Sequence, residues 1–192
     1  MKIKHALGRV AAIAAAATGL AALGLTGVAS AGTGPAAAPA DAASIACHIQ
    51  AFDGHYLSAI GGGGRTTDVI ETNRTVASTW ETFTLVTSGD DSLPIRYGIR
   101  TATGNWLTAV GGGGRTTDVI HSNATVLQAW EKFSFVPLSP GGGSSFWAAI
   151  QTIDGHYLTA VNSGGIGSSP EAIHSNATQI QAWEKFFFTC AF

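Results

Sequence analysis

Short apolar segments alternate with polar breaks along the chain after residue 44. The segments are rich in Ile, Val, Thr and aromatic residues, and Gly, Asp, Asn, Ser and Pro separate them. Segments of this kind, without the period of an amphipathic helix, are typical of β-strands joined by turns. In the middle of the chain they predict four strands, at residues 97–101, 106–110, 118–121 and 130–136.

These strands belong to a unit that the chain contains three times. The stretch GGGGRTTDVI occurs at residues 61–70 and again at 111–120, and a diverged third copy occupies 162–186. The copies place repeat boundaries near residues 47–95, 96–145 and 146–192. Four strands taken three times predict a closed antiparallel structure, because closure leaves no exposed sheet edge.

The last strand of each copy indicates which side chains form the core. Side chains alternate between the two faces of a strand. One face carries a pair of large apolar residues in every copy: Phe83 and Leu85, Phe133 and Phe135, Phe186 and Phe188. The opposite face begins with Trp80, Trp130 or Trp183, so we predict that these three rings face outward. The alternative is that each ring packs as a core residue under the end of the barrel.

The N-terminus has the features of a secretory signal. Lys2, Lys4 and Arg9 precede an apolar run at 10–28, and Ala29-Ser30-Ala31 is a small-residue cleavage pattern. We therefore predict a signal peptide at 1–31, a flexible leader at 32–44, a folded domain at 45–192 and an extracellular location without stable membrane insertion. The alternative is an uncleaved membrane anchor.

The two cysteines of the chain indicate how the ends of the domain are connected. The two cysteines, Cys47 and Cys190, lie at the two ends of the domain, and in an exported protein they predict a disulfide between the termini. A lipid-modified Cys47 is the alternative.

Removal of the signal leaves seven basic and twelve acidic residues, a net charge of −5 with neutral histidine. That balance argues against a nucleic-acid partner.

Two motifs carry a resemblance to a known family. Each copy contains Gly-x-Tyr/Trp-Leu-Ser/Thr-Ala, at 54–59, 104–109 and 155–160, and closes with Trp-Glu-x-Phe, at 80–83, 130–133 and 183–186. Over residues 47–192 the chain resembles the fascin-like β-trefoil superfamily, and within it exported bacterial fascin-like modules and glucan-binding trefoil carbohydrate-binding modules. The resemblance implies an all-β, pseudo-threefold β-trefoil and a polysaccharide partner.

The tryptophans and the glutamates beside them are the first candidate site residues. An exposed indole can stack on the apolar face of a sugar ring. Each is followed by a glutamate, Glu81, Glu131 or Glu184, whose carboxylate could accept bonds from two sugar hydroxyls. The alternatives for each glutamate are a solvated charge or a cap on a neighbouring backbone N–H.

Further candidates lie in two places in each copy: the bend between the second and third predicted strands, and the segment before the tryptophan. Asp68, Asp118 and Glu171 keep an acid at one position of the bend, and Asn73, Asn123 and Asn176 head Asn-x-Thr triplets. We expect each asparagine to lie in a turn, with a secondary role in hydroxyl recognition. Arg65 and Arg115 have no counterpart at Ser168, which makes the third site the doubtful one. Neither a repeated set of metal ligands nor a phosphate loop is present in the sequence.

Threefold repetition of the same weakly reactive residues is typical of multivalent binding rather than catalysis, which needs one asymmetric arrangement. We therefore expect a monomeric, non-enzymatic carbohydrate-binding protein without metal or cofactor. The alternative is a protein-binding trefoil, either an inhibitor using the loop at 87–93 or 137–145, or an actin-binding protein by analogy with fascin.

Overall fold

The computed structural model describes residues 43–90, 93–139, 143–167 and 172–191. The predicted signal peptide, the leader up to residue 42 and Glu171 lie outside these ranges. The described residues form twelve strands. They are β1 Ser44–Gln50, β2 Tyr56–Ala59, β3 Ile70–Arg74, β4 Thr82–Thr87, β5 Arg96–Arg100, β6 Trp106–Ala109, β7 Ile120–Ala124, β8 Lys132–Pro137, β9 Ser145–Gln151, β10 Tyr157–Ala160, β11 Ile173–Ala177 and β12 Phe186–Ala191.

The first and last strands of the three copies close a barrel. β1 pairs with β4, β4 with β5, β5 with β8, β8 with β9, β9 with β12, and β12 returns to β1, all antiparallel. The two middle strands of each copy form a hairpin, β2–β3, β6–β7 or β10–β11. Six barrel strands and three hairpins make the closed antiparallel structure that the repeats predicted, in the β-trefoil arrangement that the family resemblance implied.

The core consists of equivalent residues from the three copies. Phe83, Phe133, Phe186 and Phe188 have no solvent exposure, and the leucine and isoleucine of each repeat surround them. The face assignment made from the sequence is thus confirmed for these rings. Phe135 is only half-buried, and its ring lies 5.2 Å from those of Tyr97 and Phe188.

Glycine runs form the joints between repeats, which we call seams: the first seam joins repeats one and two, the second joins two and three, and the third joins three and one. At the first seam the Thr103 N–H donates to the Gly62 carbonyl over 3.0 Å. Asp154 and Asp53 make the same bond across the other seams. At the second seam the acceptor is Gly112, and the glycine after it, Gly113, has a φ of +126°. A Cβ on Gly113 would collide with side chains of the following repeat. Only glycine permits this backbone conformation and this close approach without strain.

Two elements near the candidate site differ from the expectation. Trp130 does not begin a strand, because Ala129–Glu131 form a 3₁₀ turn and β8 starts at Lys132. Asn73, Asn123 and Asn176 lie in β3, β7 and β11 rather than in turns, so the turn assignment was wrong. The left-handed backbone of this region belongs instead to Asp68 and Asp118, with φ of +47° and +49°.

The chain ends of the described domain are joined. Cys47 and Cys190 are directly opposite each other on β1 and β12, with Cα atoms 4.0 Å apart, and their sulfurs are bonded. The disulfide predicted from the sequence is confirmed. In the ranges that the structure describes, no helix is long and apolar enough to cross a membrane.

Candidate functional site

Each tryptophan sits on a short turn that leads into the last strand of its repeat. We call residues 78–81, 128–131 and 181–184 the closing turns. Trp80, Trp130 and Trp183 expose 42%, 49% and 42% of their surface. Such exposure is large for the biggest apolar side chain, and it occurs at all three pseudo-threefold positions. The closing turns therefore present three indole rings to solvent.

In the first closing turn the glutamate is a cap rather than a surface group. Glu81 is 2% exposed, and its Oε2 accepts bonds from the Ser78 N–H over 2.8 Å and the Ser78 hydroxyl over 2.6 Å. Together with the Ser78 side chain it forms a capping box. In this motif the side chain of each of two residues, three positions apart, accepts a bond from the main-chain N–H of the other. Arg74 lies 4.0 Å from the other carboxylate oxygen and 2.7 Å from Glu71.

The other two glutamates are held in the same manner. Glu131 accepts from the Gln128 N–H over 2.9 Å and from the Thr108 hydroxyl over 2.7 Å. Glu184 accepts from the Gln181 N–H over 2.8 Å and, equivalently, from Thr159 over 2.8 Å. Both are 6% exposed. Each carboxylate therefore ties its closing turn to the second strand of the repeat.

These contacts correct one expectation about the site. The sequence suggested that each carboxylate accepts bonds from ligand hydroxyls. In the structure Glu81, Glu131 and Glu184 are buried, and their oxygens accept bonds from donors of the protein itself. The physical reason is that a tight turn leaves backbone N–H groups without partners, and an adjacent carboxylate satisfies them. The cap, which was the alternative, is what the structure shows.

Hydrogen bonding also determines the charge state of Glu81. Burial by itself would raise the pKa of this carboxyl, but several hydrogen bonds, the one from the Ser78 hydroxyl foremost, together outweigh it. The net effect holds the pKa of Glu81 below its ordinary value of 4.5. The carboxylate is thus ionised, and its charge stabilises the turn that carries Trp80.

The capping role had a sequence signal that was missed. Ser78-Thr79-Trp80-Glu81 followed by an apolar strand matches the Ser-x-x-Glu signature of a capping box. The other copies have Gln128 and Gln181 in place of the serine, which hides the signature there. The hydroxyl partners Thr108 and Thr159 are 23 and 25 residues away from their glutamates, so no local pattern indicates them.

Surface hollows lie beside two of the tryptophans. The one at Trp183 has a volume of about 370 Å³ and is lined by Thr178, Gln179 and Gln181 among others. A smaller hollow of about 170 Å³ adjoins Trp130 and Gln128. The third repeat, expected to be the doubtful site, thus has the larger and more polar of these two hollows.

Asp68 and Asp118, the acids of the bend that the structure describes, lie away from the two tryptophan hollows. Asp68 and Asp118 line an apolar hollow of about 170 Å³ with Val69, Val119 and other residues, and no tryptophan takes part in it. Asp118 is paired with His121 at 2.7 Å and with Arg115 at 3.4 Å. The structure therefore does not bring these acids to the indole rings.

The three asparagines are exposed and lie outside the two tryptophan hollows. The side chains of Asn73, Asn123 and Asn176 lie at the surface of the third strands. Asn123 accepts a bond from the Asn105 side chain through its main-chain carbonyl over 3.3 Å. Asn176 precedes Ala177 and Thr178, which line the hollow at Trp183, whereas none of the three asparagines lines either tryptophan hollow itself.

Comparison with known proteins identifies the fold. No protein-family model matches the chain, and no curated protein does. The designed threefold-symmetric protein ThreeFoil matches with a TM-score of 0.61 at 11% identity, over 75% of this chain and 97% of its own. The Rhizoctonia solani agglutinin matches with 0.59 at 14% identity, over 80% and 100%. The BEL β-trefoil matches with 0.55 at 12% identity, over 77% and 93%. The protein has the β-trefoil fold.

Proposed function

We propose that this protein is a secreted, non-catalytic carbohydrate-binding module that uses the three closing turns as sugar-binding platforms. The observation that carries the proposal is the exposure of Trp80, Trp130 and Trp183 at equivalent positions. A sugar ring has an apolar face of C–H groups, and an indole with one face free binds such a face while its edge remains hydrated.

The buried glutamates act in this proposal as positioning residues. Glu131 and Glu184 hold their closing turns against the second strand, and Glu81 caps its own turn through Ser78. The indole is thus presented in one orientation and loses little entropy on binding. Direct polar contacts to the sugar then come from the rim. At the third site Thr178, Gln179 and Gln181 supply hydroxyl and amide groups, which can donate to or accept from sugar hydroxyls.

Three platforms on one domain suit a polymeric ligand. When a chain reaches more than one site, avidity exceeds the affinity of a single site by about 10²–10⁴. We propose a glucan-like polysaccharide as the ligand class, in line with the sequence motifs. The likeness in fold to a protein named as an agglutinin supports a lectin-type role.

Export belongs to the same proposal. The basic, apolar and small-residue sequence at 1–31 supports a signal peptide cleaved near Ala31. The Cys47–Cys190 disulfide supports an oxidising location, because such bonds persist outside the cytosol. N-terminal sequencing of the protein recovered from culture medium tests this part, and a mature chain that still begins at Met1 contradicts it.

Calorimetry or affinity electrophoresis against a polysaccharide panel tests the binding proposal. The panel is run with Trp80→Ala, Trp130→Ala and Trp183→Ala, singly and combined. Leu93→Ala is the matched control. Leu93 is 86% exposed, and its substitution removes a large apolar side chain that lies away from the platforms. We expect each single variant to weaken binding to the polymer and the triple variant to abolish it. Undiminished binding by a folded triple variant contradicts the proposal.

A further inference from the structure

A groove runs along the first seam and begins beside a platform. It has a volume of about 420 Å³, and its lining includes five threonines and Arg100. The threonines are Thr79, Thr82, Thr84, Thr101 and Thr103. Thr79 precedes Trp80 in the closing turn. The Thr103 methyl and the Trp80 ring lie 3.3 Å and 3.4 Å from the point where a Cβ on Gly62 would stand. The groove is therefore continuous with the Trp80 platform.

Arg100 is the one charged residue in the lining of this groove. Its Nε donates to the Gly104 carbonyl over 2.9 Å, and its guanidinium carbon lies 5.4 Å from the centre of the Trp106 ring. These contacts hold the side chain in place while the residue stays exposed. The terminal Nη groups, which form the planar fork that recognises carboxylates and sulfates, are directed to no acidic partner among the described residues.

The equivalent position in the other repeats shows what the arginine adds. Gln50 donates to the Gly54 carbonyl over 2.7 Å, and Gln151 donates to the Gly155 carbonyl over 2.9 Å. The glutamines thus make the same structural bond as Arg100 without a charge. An arginine is not needed to hold the hairpin, so the positive charge is a property of the first seam.

A second substitution changes the charge in the same direction. The other two seams have Asp53 and Asp154 where the first seam has Thr103, and those aspartates are paired with His55 at 2.7 Å and His156 at 3.0 Å. The first seam therefore lacks the acid and carries the cation. Its single positive charge makes it the groove suited to an anion.

We propose that the first seam binds an acidic sugar, a uronate or a sulfated residue, of a polysaccharide whose neighbouring ring stacks on Trp80. The inference rests on the proposed carbohydrate-binding function, and at one site it replaces the neutral sugar of a glucan by an acidic sugar. Arg100 supplies two parallel N–H bonds to the carboxylate or sulfate. The hydroxyls of Thr82, Thr101 and Thr103 donate to main-chain carbonyls of the protein, so toward the ring hydroxyls of the sugar they act as acceptors. The site discriminates acidic from neutral sugars even though the domain as a whole is negatively charged, because at physiological salt charges beyond about 8 Å are screened.

Binding of the mature protein to polygalacturonate and to its fully methyl-esterified form tests the inference, since the ester removes the charge and keeps the sugar. Dextran sulfate beside dextran distinguishes sulfate from carboxylate as the preferred group. Arg100→Gln introduces the residue that the other repeats use, so the bond to Gly104 is retained. Arg96→Gln is the control, because Arg96 lies on the same strand and does not line the groove.

At physiological salt we expect the wild type to prefer the charged polymer, and Arg100→Gln to weaken that binding about tenfold, the scale of a charge-assisted contact at an exposed site. Arg96→Gln and binding to the ester should be nearly unchanged, and Trp80→Ala should weaken both polymers. Equal binding of charged and neutral forms, or equal losses in the two arginine variants, overturns the acidic-sugar inference and leaves the proposed function standing. Failure of the folded wild type to bind any member of the wider panel overturns both.

Discussion

Substitutions of Glu131 distinguish a glutamate that positions its closing turn from one that contacts the ligand directly. Its Oε2 accepts the Gln128 N–H and its Oε1 accepts the Thr108 hydroxyl, with both oxygens in a side chain that is 6% exposed. Glu131→Ala removes both acceptors and leaves the buried Thr108 hydroxyl and the partly buried Gln128 N–H without this partner. Glu131→Gln keeps the shape. Its amide oxygen can accept the N–H, and its NH₂ can donate to the Thr108 oxygen if that hydroxyl rotates.

The expected losses follow from these contacts. A hydrogen bond to a charged group contributes about 1.5–3 kcal/mol, and two such bonds in one network are less than additive, so Glu131→Ala should lower the free energy of unfolding by about 3 kcal/mol. Glu131→Gln loses only the charge and should cost about 1 kcal/mol. With an m value of about 2 kcal/mol per M, the alanine variant should shift the urea midpoint down by about 1.5 M.

Equilibrium urea unfolding, followed by circular dichroism, measures these differences, and calorimetry on the folded variants measures sugar binding. We expect Glu131→Gln to bind the polysaccharide as the wild type does, whereas Trp130→Ala binds less tightly with little loss of stability. If Glu131→Gln is as stable as the wild type but has lost its binding, the carboxylate contacts the ligand directly. That result refutes the assignment of Glu131 as a cap.

Three further perturbations test the fold around the site. Gly113→Ala forces a non-glycine residue to φ of +126° against Thr152 and should cost more than about 2 kcal/mol, seen as a lower urea midpoint. Replacing Cys47 and Cys190 together by serine opens a loop of 143 residues and should cost up to about 5 kcal/mol; an unchanged midpoint contradicts a stabilising bond. The lowered pKa of Glu81 means that its stabilisation is complete above 4.5 and is lost as pH falls through the folded-state value, so acid should destabilise the wild type more steeply than Glu81→Gln.

The sequence predicted the fold because the repeat made independent signals agree. Equivalent glycines, tryptophans and alternating aromatic residues appear in three copies, so a pattern too weak in one copy is supported by the other two. The core rings Phe83, Phe133 and Phe186 followed from strand parity. The strand at 130–136 was predicted two residues too early, because Trp130 and Glu131 occupy a turn whose N–H groups the glutamate satisfies.

The candidate site was predictable only in part. Exposure of the tryptophans agrees with the sequence-based expectation, but the direction of the neighbouring glutamates does not. In a 3₁₀ turn successive side chains point about 120° apart, so Trp130 can face solvent while Glu131 faces the protein. Adjacent residues in sequence therefore have opposite roles here.

The sequence alone determined the properties that depend on local chemistry and on repetition: the strand pattern, the threefold organisation, the pairing of the two cysteines and the core faces. Only the tertiary structure decided which groups meet across distance. Thr108 reaches Glu131 from 23 residues away, and Gly62 meets Thr103 across the first seam. The physical reason is that hydrogen bonds and close packing act over a few ångströms in space. Closure of the barrel, rather than order along the chain, creates those distances.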